Sequence, residues 1–258
     1  MISAIVLTFH GVVTKEADLA GIADPGSSRY AVTTARLKET LDIIGQFSVC
    51  VVRDLAAAKE ARHVLTFDDG LLSDYEIVFP ELIARDLKAT FFVSALNVGR
   101  EGYCSGSQLV EMARSGMEIA SHGCTHRYLV TMARREAIVE LAQSKAELEY
   151  ALGTHVASFA AVGGHYRDWM IAAAADAGYR AFATMIPGRT LIRAERILRL
   201  RRNHIQADHG PEYIARVLRG EFRTLASNRL RYLVLDLARR ALGMNAYDRL
   251  RARLLAST

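Results

Sequence analysis

The sequence predicts an α/β fold in which a mainly parallel sheet of about seven strands is covered by helices, the sheet either closing into a barrel or staying open. Two observations carry that expectation. Apolar strand-like runs alternate with amphipathic helical stretches about seven times, with short connections between them. The residues that stand out chemically also fall at the C-terminal ends of those runs: His10, Asp68 and Asp69, His122, Gly163 with Gly164, and Asn203 with His204. In parallel α/β folds, sites are built on that edge of the sheet.

Ile2 to Phe9 reads as a buried strand that exits at His10-Gly11. Thr33 to Phe47 has helical spacing, with Leu37, Leu41, Ile44 and Phe47 on one stripe behind a Thr cap. Arg62 to Phe67 is the second strand, followed by a helix from Asp74 to Leu87 that turns Ile77, Val78, Leu82 and Ile83 inward. Lys88 to Ser94, dense in Thr, Phe and Val, is the third strand. Ser107 to Ser115 is a short helix stopped by Gly116. Met117 to Ser121 is a strand with His122 at its end, and Thr131 to Leu152 is a long amphipathic helix closed by Gly153. Val156 to Val162 is a strand finished by Gly163-Gly164, and Asp168 to Ala177 is a helix stopped by Gly178. Tyr179 to Met185 and Arg196 to Asn203 complete the strands. Beyond Pro211 the pattern is helical to the end, broken near Gly220 and Gly243.

With 51% hydrophobic and 24% charged residues, the chain has ample material for a core and is not of disordered composition. Its 3 cysteines, Cys50, Cys104 and Cys124, are odd in number and share no CxxC spacing. A disulfide framework is therefore not expected, which fits a reducing compartment. The first residues lack the basic stretch of a signal peptide, and no run approaches the roughly 18 apolar residues of a membrane span. The expected location is cytoplasmic, with peripheral attachment to a membrane left open.

The net charge of +5 hides an asymmetry. Met185 to Thr258 holds 16 Arg, no Lys and 6 acidic residues, a net +10, which leaves −5 for Met1 to Thr184. A basic tail on an acidic body suggests an anionic partner such as lipid head groups, although solvated Arg-rich helix faces would look the same. Arg229 to Leu235 and Arg249 to Leu255 alternate basic and apolar residues. Helices of that kind either lie on an anionic membrane surface or pack on the barrel and expose their arginines. No base-reading motif or aromatic platform is present, so no nucleic-acid partner is expected.

The chemistry concentrates in Val64-Leu65-Thr66-Phe67-Asp68-Asp69-Gly70. Neighbouring side chains of a regular strand point to opposite faces, so both acids serve one site only if the strand ends there, and Gly70 supplies that exit. Two acids at the mouth of a buried strand need a cation or a metal. Ser121-His122-Gly123-Cys124-Thr125-His126 places two imidazoles four residues apart, where one helical turn would bring them to a common side. With Asp69 they make a set of two imidazoles and one carboxylate, suited to zinc in hydrolysis or ferrous iron in oxygen chemistry. Asp68, a second carboxylate free of the metal, is suited to take a proton from water, which favours hydrolysis.

The run Thr66-Phe67-Asp68-Asp69-Gly70, followed by His122-Gly123-Cys124-Thr125-His126, resembles the polysaccharide deacetylases of carbohydrate esterase family 4. The resemblance spans about Arg62 to Met185. It implies a distorted (β/α) barrel, expected over residues 1–205 and followed by an Arg-rich helical extension packed on it over 206–258. It also implies metal-dependent hydrolysis of the acetamido group of an N-acetylated sugar, with a divalent ion, most simply zinc, as cofactor. Asp68 would be the base, and Asp69, His122 and His126 the metal ligands. The absence of an export signal points to a glycan precursor, including a lipid-linked one, as substrate. The family's third motif carries an arginine that orients the base and a backbone N–H donor for the oxyanion. Here it reads Phe159-Ala160-Ala161-Val162-Gly163-Gly164, with Ala160 in place of that arginine; Gly163 can still supply the N–H, and Arg167 or Arg199 would have to replace the cation. The general acid would be His10, favoured over His204 because Leu7-Thr8-Phe9-His10-Gly11 resembles the N-terminal strand of permuted relatives. His165 and Tyr166 are candidate sugar contacts. Cys124 and Trp169 read as packing residues and His63 as an outward-facing one.

Overall fold

The computed structural model describes residues 2–15 and 30–242. The strands are β1 (Ser3–Phe9), β2 (Val12–Val13), β3 (Val32–Thr33), β4 (Arg62–Asp69), β5 (Thr90–Val93), β6 (Glu118–Ser121), β7 (Ser158–Ala160), β8 (Ala181–Ala183), β9 (Thr190–Leu191), β10 (Leu198–Leu200) and β11 (Asn203–His204). The helices are α1 (Thr34–Ile44), α2 (Phe79–Ile83), α3 (Gly106–Arg114), α4 (Arg134–Leu152), α5 (Asp168–Asp176), α6 (Pro211–Leu218) and α7 (Phe222–Leu242).

One sheet runs β10-β8-β7-β6-β5-β4-β1-β11, all pairs parallel, with β9 added antiparallel to the start of β1. The strands at the two ends of that order, β10 and β11, are joined by Arg201-Arg202 alone, so the chain itself steps across the seam. Thr190 Oγ1 braces the step, accepting from Arg201 N at 2.9 Å and donating to Arg201 O at 3.1 Å. The sheet is therefore a nearly closed, distorted (β/α) barrel. The expected strand from Arg196 to Asn203 is divided by this crossing.

Strand alternation sorts the core into two layers. Ala4, Val6, Val64, Phe92, Ala120, Ala160, Ala183, Leu198 and Leu200 fill the barrel, where the four alanines suit a narrow interior. Leu7, Phe9, Leu65, Phe67, Phe91, Phe159 and Phe182 face the helices. There Phe9, Phe67 and Phe91 stack across adjacent strands with centroids 5.1 Å apart in each pair. Thr8, Thr66 and then Asp68 continue the inward set toward the barrel mouth, with the Thr8 and Thr66 hydroxyls 2.9 Å apart.

The helix expected from Asp74 to Leu87 starts as a π-turn over Asp74–Val78 and becomes α2 only at Phe79. Pro80 explains the change, because its ring has no N–H to donate and crowds the carbonyl four residues back. His63 is not outward-facing: its Nε2 lies 2.9 Å from the Leu218 carbonyl, tying β4 to α6.

Asp74 itself is buried with neither carboxylate oxygen hydrogen-bonded. Burial, with the nearby Asp69 charge, pushes its pKa well above the ordinary carboxylate value. A raised native pKa means that the folded state holds the proton more tightly, so stability falls as pH rises above about 4. Asp74→Asn is thus expected to stabilise the chain by about 1–3 kcal/mol at pH 8 and not at pH 3, read from denaturant unfolding at both pH values.

Candidate active site

Strand β4 ends in two carboxylates, and the backbone sends them to one mouth by different routes. Asp68 follows the inward parity of Val64 and Thr66 and is buried. Asp69 has φ 83° and Gly70 has φ 73°, both in the left-handed region. Asp tolerates that region better than most residues, and the turn re-aims its carboxylate out of strand alternation. A Cβ on Gly70 would come within 2.9 Å of Val93 Cγ1, so the exit requires glycine.

The inward parity of β6 continues to His122. Its Nδ1 is 2.9 Å from the Ala160 carbonyl, which can only accept, so Nδ1 carries the proton and Nε2 is left as a lone-pair donor. That Nε2 is 3.4 Å from Asp69 Oδ1, and His126 Nε2 is 2.9 Å from the same oxygen. One donor atom from each of Asp69, His122 and His126 fits within 4.8 Å of the others. The pair is not on a helix, as its spacing suggested. Residues 122–128 form an irregular loop in which Gly123 has φ 87° and His126 φ 58°.

Glu140 of α4 holds this loop in place. Its Oε1 accepts from Cys124 N at 2.8 Å, Thr125 N at 2.6 Å and Thr125 Oγ1 at 3.0 Å. Cys124 between the histidines is buried, and burial pushes its thiol up to about 11, which suits packing and not metal binding.

Asp68 meets Arg202, a residue absent from the sequence-based candidates. Arg202 Nη1 donates to Oδ1 at 2.6 Å and Nη2 to Oδ2 at 2.9 Å, a bidentate pair with both side chains buried. The Arg202 guanidinium lies over the Phe92 ring at 5.2 Å, and its Nε donates to the Thr184 carbonyl at 3.2 Å. Neither expected replacement is there: Arg199 points outward, 3.9 Å from Asp168, and Arg167 is exposed at the start of α5. Burial alone would raise the Asp68 pKa, but the charges of Arg202, His122 and His10 outweigh it and bring it below the ordinary value. For Asp69 burial is likewise overcome, here by the His122 and His126 imidazoles beside it, leaving a strongly acidic carboxyl.

Both histidines weighed as proton donors stand at the same mouth. His10 Nε2 is 3.9 Å from Asp68 Oδ2, and the rings of His10, His204 and Tyr30 cluster, with His204 4.6 Å from His10 and 4.2 Å from Tyr30. Desolvation lowers the His10 pKa more than Asp68 and Asp69 raise it. Gly163 sits in the turn after β7 with φ 62°, where a Cβ would reach 2.7 Å from Tyr128 Cε1. The His165 ring meets Tyr128 edge-on at 5.1 Å, on the loop that follows His126. Tyr166 instead packs against Phe182 at 5.5 Å, on the helix side of the sheet, a setting that favours packing over sugar contact.

The donor set suits a divalent ion: one anionic carboxylate, one imidazole with its tautomer fixed from behind, and a second imidazole open to solvent at 35% side-chain exposure. The family model described as Polysaccharide deacetylase matches residues 56–182, a stretch that holds the Asp-Asp-Gly exit, both histidines and the turn at Gly163. YxkH of Bacillus subtilis (strain 168), whose name assigns it to the polysaccharide deacetylases, is 29% identical over 125 residues, 48% of this chain.

Residues 56–182 belong to the polysaccharide deacetylase superfamily.

The match spans less than half of YxkH, 45% of its length. Solved structures extend the likeness of fold beyond the matched region. IcaB from Ammonifex degensii aligns over 84% of this chain and 97% of its own, with a TM-score of 0.68 and 26% identity. BC0361, a polysaccharide deacetylase from Bacillus cereus, aligns over 84% of this chain and 69% of its own, with a TM-score of 0.74 and 23% identity. His10, Arg202 and His204 lie outside the segment that the superfamily's model matches, so part of this mouth is built from the chain's two flanks.

Proposed function

We propose that the chain is a metal-dependent hydrolase that removes the acetyl group from an N-acetylated sugar of a glycan or glycan precursor. The observation that carries this reading is the pairing at one mouth of two differently held carboxylates: Asp69 with His122 and His126, and Asp68 with Arg202. The first set would hold the metal, and zinc suits two imidazoles and a carboxylate with open positions. When bound, such an ion polarises the acetyl carbonyl and eases ionisation of water.

Asp68 is the base. Its depressed pKa keeps it ionised at neutral pH, and Arg202 fixes both oxygens in direction, so it can take a proton from the attacking water. The water oxygen bonds to the acetyl carbon, the C–N bond breaks, and acetate leaves with the added oxygen. The Gly163 backbone N–H is the proposed donor to the carbonyl oxygen as it becomes negative. His10 stands 3.9 Å from Asp68 and is placed to relay the proton that Asp68 takes from water on to the departing amine, with the His204 ring packed against it. His165 remains the candidate sugar contact at the rim.

Acetate release from chitooligosaccharides and monomeric N-acetylated sugars tests the reading. Wild type should release acetate, and chelator treatment should stop it until zinc is restored; release that persists in metal-free protein would refute it. Glu140→Ala, which frees the loop carrying His126, should weaken metal binding about 10–100-fold with the fold retained, measured by titrating zinc into apoprotein.

A further inference from the structure

Helix α7 (Phe222–Leu242) is tied to the protein by polar side chains and leaves most of its apolar residues exposed. Asn228 Nδ2 donates to Tyr213 Oη at 2.8 Å, Arg239 Nη1 donates to His165 Nδ1 at 2.7 Å, and Arg239 Nη2 pairs with Asp236 at 3.1 Å. Leu225 packs against the core. Leu230, Val234 and Leu237, by contrast, are 64%, 59% and 69% exposed, and Leu233, Leu235 and Leu242 are exposed as well. Positions 230, 233, 234 and 237 recur at steps of three and four, so they form one outward stripe. Helices on globular proteins bury such a stripe.

Charge selects the occupant. The helix carries Arg223, Arg229, Arg231, Arg239 and Arg240 against Asp236 alone, and Arg223 and Arg231 are exposed. A second copy would set two such arginine-rich faces against each other. The remaining chain, with Arg249, Arg251 and Arg253, has the same sign. We infer that this face of α7 lies along an anionic membrane surface, with the leucine stripe at the headgroup–acyl boundary and exposed arginines on lipid phosphates. Among the described residues no helix is long and apolar enough to cross a membrane, which fits a helix lying in the surface. The Arg239–His165 bond ties α7 to the loop after Gly163, so attachment would set the barrel mouth beside the lipid.

This surface stands apart from the hydrolysis proposed above, and its readout is binding, so a lack of deacetylation would leave it intact. The test is flotation of the full chain with vesicles of phosphatidylcholine alone and of equimolar phosphatidylcholine and phosphatidylglycerol. Binding is expected only to the anionic vesicles and should weaken with salt. Leu233→Ser/Leu237→Ser and Arg223→Glu/Arg231→Glu should each weaken it at least about tenfold, with helical content unchanged by circular dichroism. Failure to float with anionic vesicles, equal flotation of both variants and wild type, or a dimer in solution that Leu233→Ser/Leu237→Ser dissociates would each overturn the inference.

Discussion

Arg202→Met is expected to destabilise the chain by about 3–5 kcal/mol at neutral pH, because it leaves the buried Asp68 carboxylate without its cation. The pH dependence should change sign with it. In the wild type the depressed Asp68 pKa contributes stability that is present above the unfolded value of about 3.9 and lost as pH falls through the native one. Without Arg202, burial dominates and the native pKa rises, so the variant should lose stability as pH rises through and above about 4. Activity should fall as well, with the acid limb of the pH–rate profile moved upward because Asp68 ionises at higher pH. The double variant Asp68→Asn/Arg202→Met should recover much of the stability and none of the activity. Equal stability of Arg202→Met and wild type in denaturant would show that the pair is not what holds Asp68.

The second large effect is expected from Asp68 itself. Asp68→Asn keeps shape and loses the base, which should lower the rate of acetate release about 10²–10⁴-fold. Removing the Asp68 charge also relieves Arg202 of its partner, so the variant should be less stable than wild type while keeping its metal. A variant that lost its metal in parallel with its rate would place Asp68 among the ligands.

The sequence reading reached the two acids and two histidines because residue type and strand-end position are local properties. It missed Arg202 because that contact joins positions 134 residues apart across the barrel seam. A local signal did exist: Leu198, Leu200 and Arg202 keep one inward parity, and Arg199, the expected substitute, has the opposite one. Glu140 was marked in the same way, as an acid on the buried stripe of α4 that runs through Ala137, Leu141, Ser144 and Leu148. The family's motif-three arginine is absent at Ala160, and the cation beside the base comes instead from the flank that closes the barrel. The Asp68 carboxylate thus keeps a cationic partner in spite of Ala160. Helix α7 was legible as amphipathic, but which face it presents depends on contacts with Tyr213 and His165 that no local pattern encodes. The second basic run, Arg249 to Leu255, lies outside the described residues.

The account turns on Asp69 as a ligand and Asp68 as a base, neighbours in sequence with separate roles. Metal content and acetate release, measured side by side on purified Asp69→Ala and Asp68→Asn proteins, test this most directly. The prediction is that Asp69→Ala loses both metal and activity, whereas Asp68→Asn keeps the metal and loses activity. An Asp69→Ala protein that retained both would contradict it.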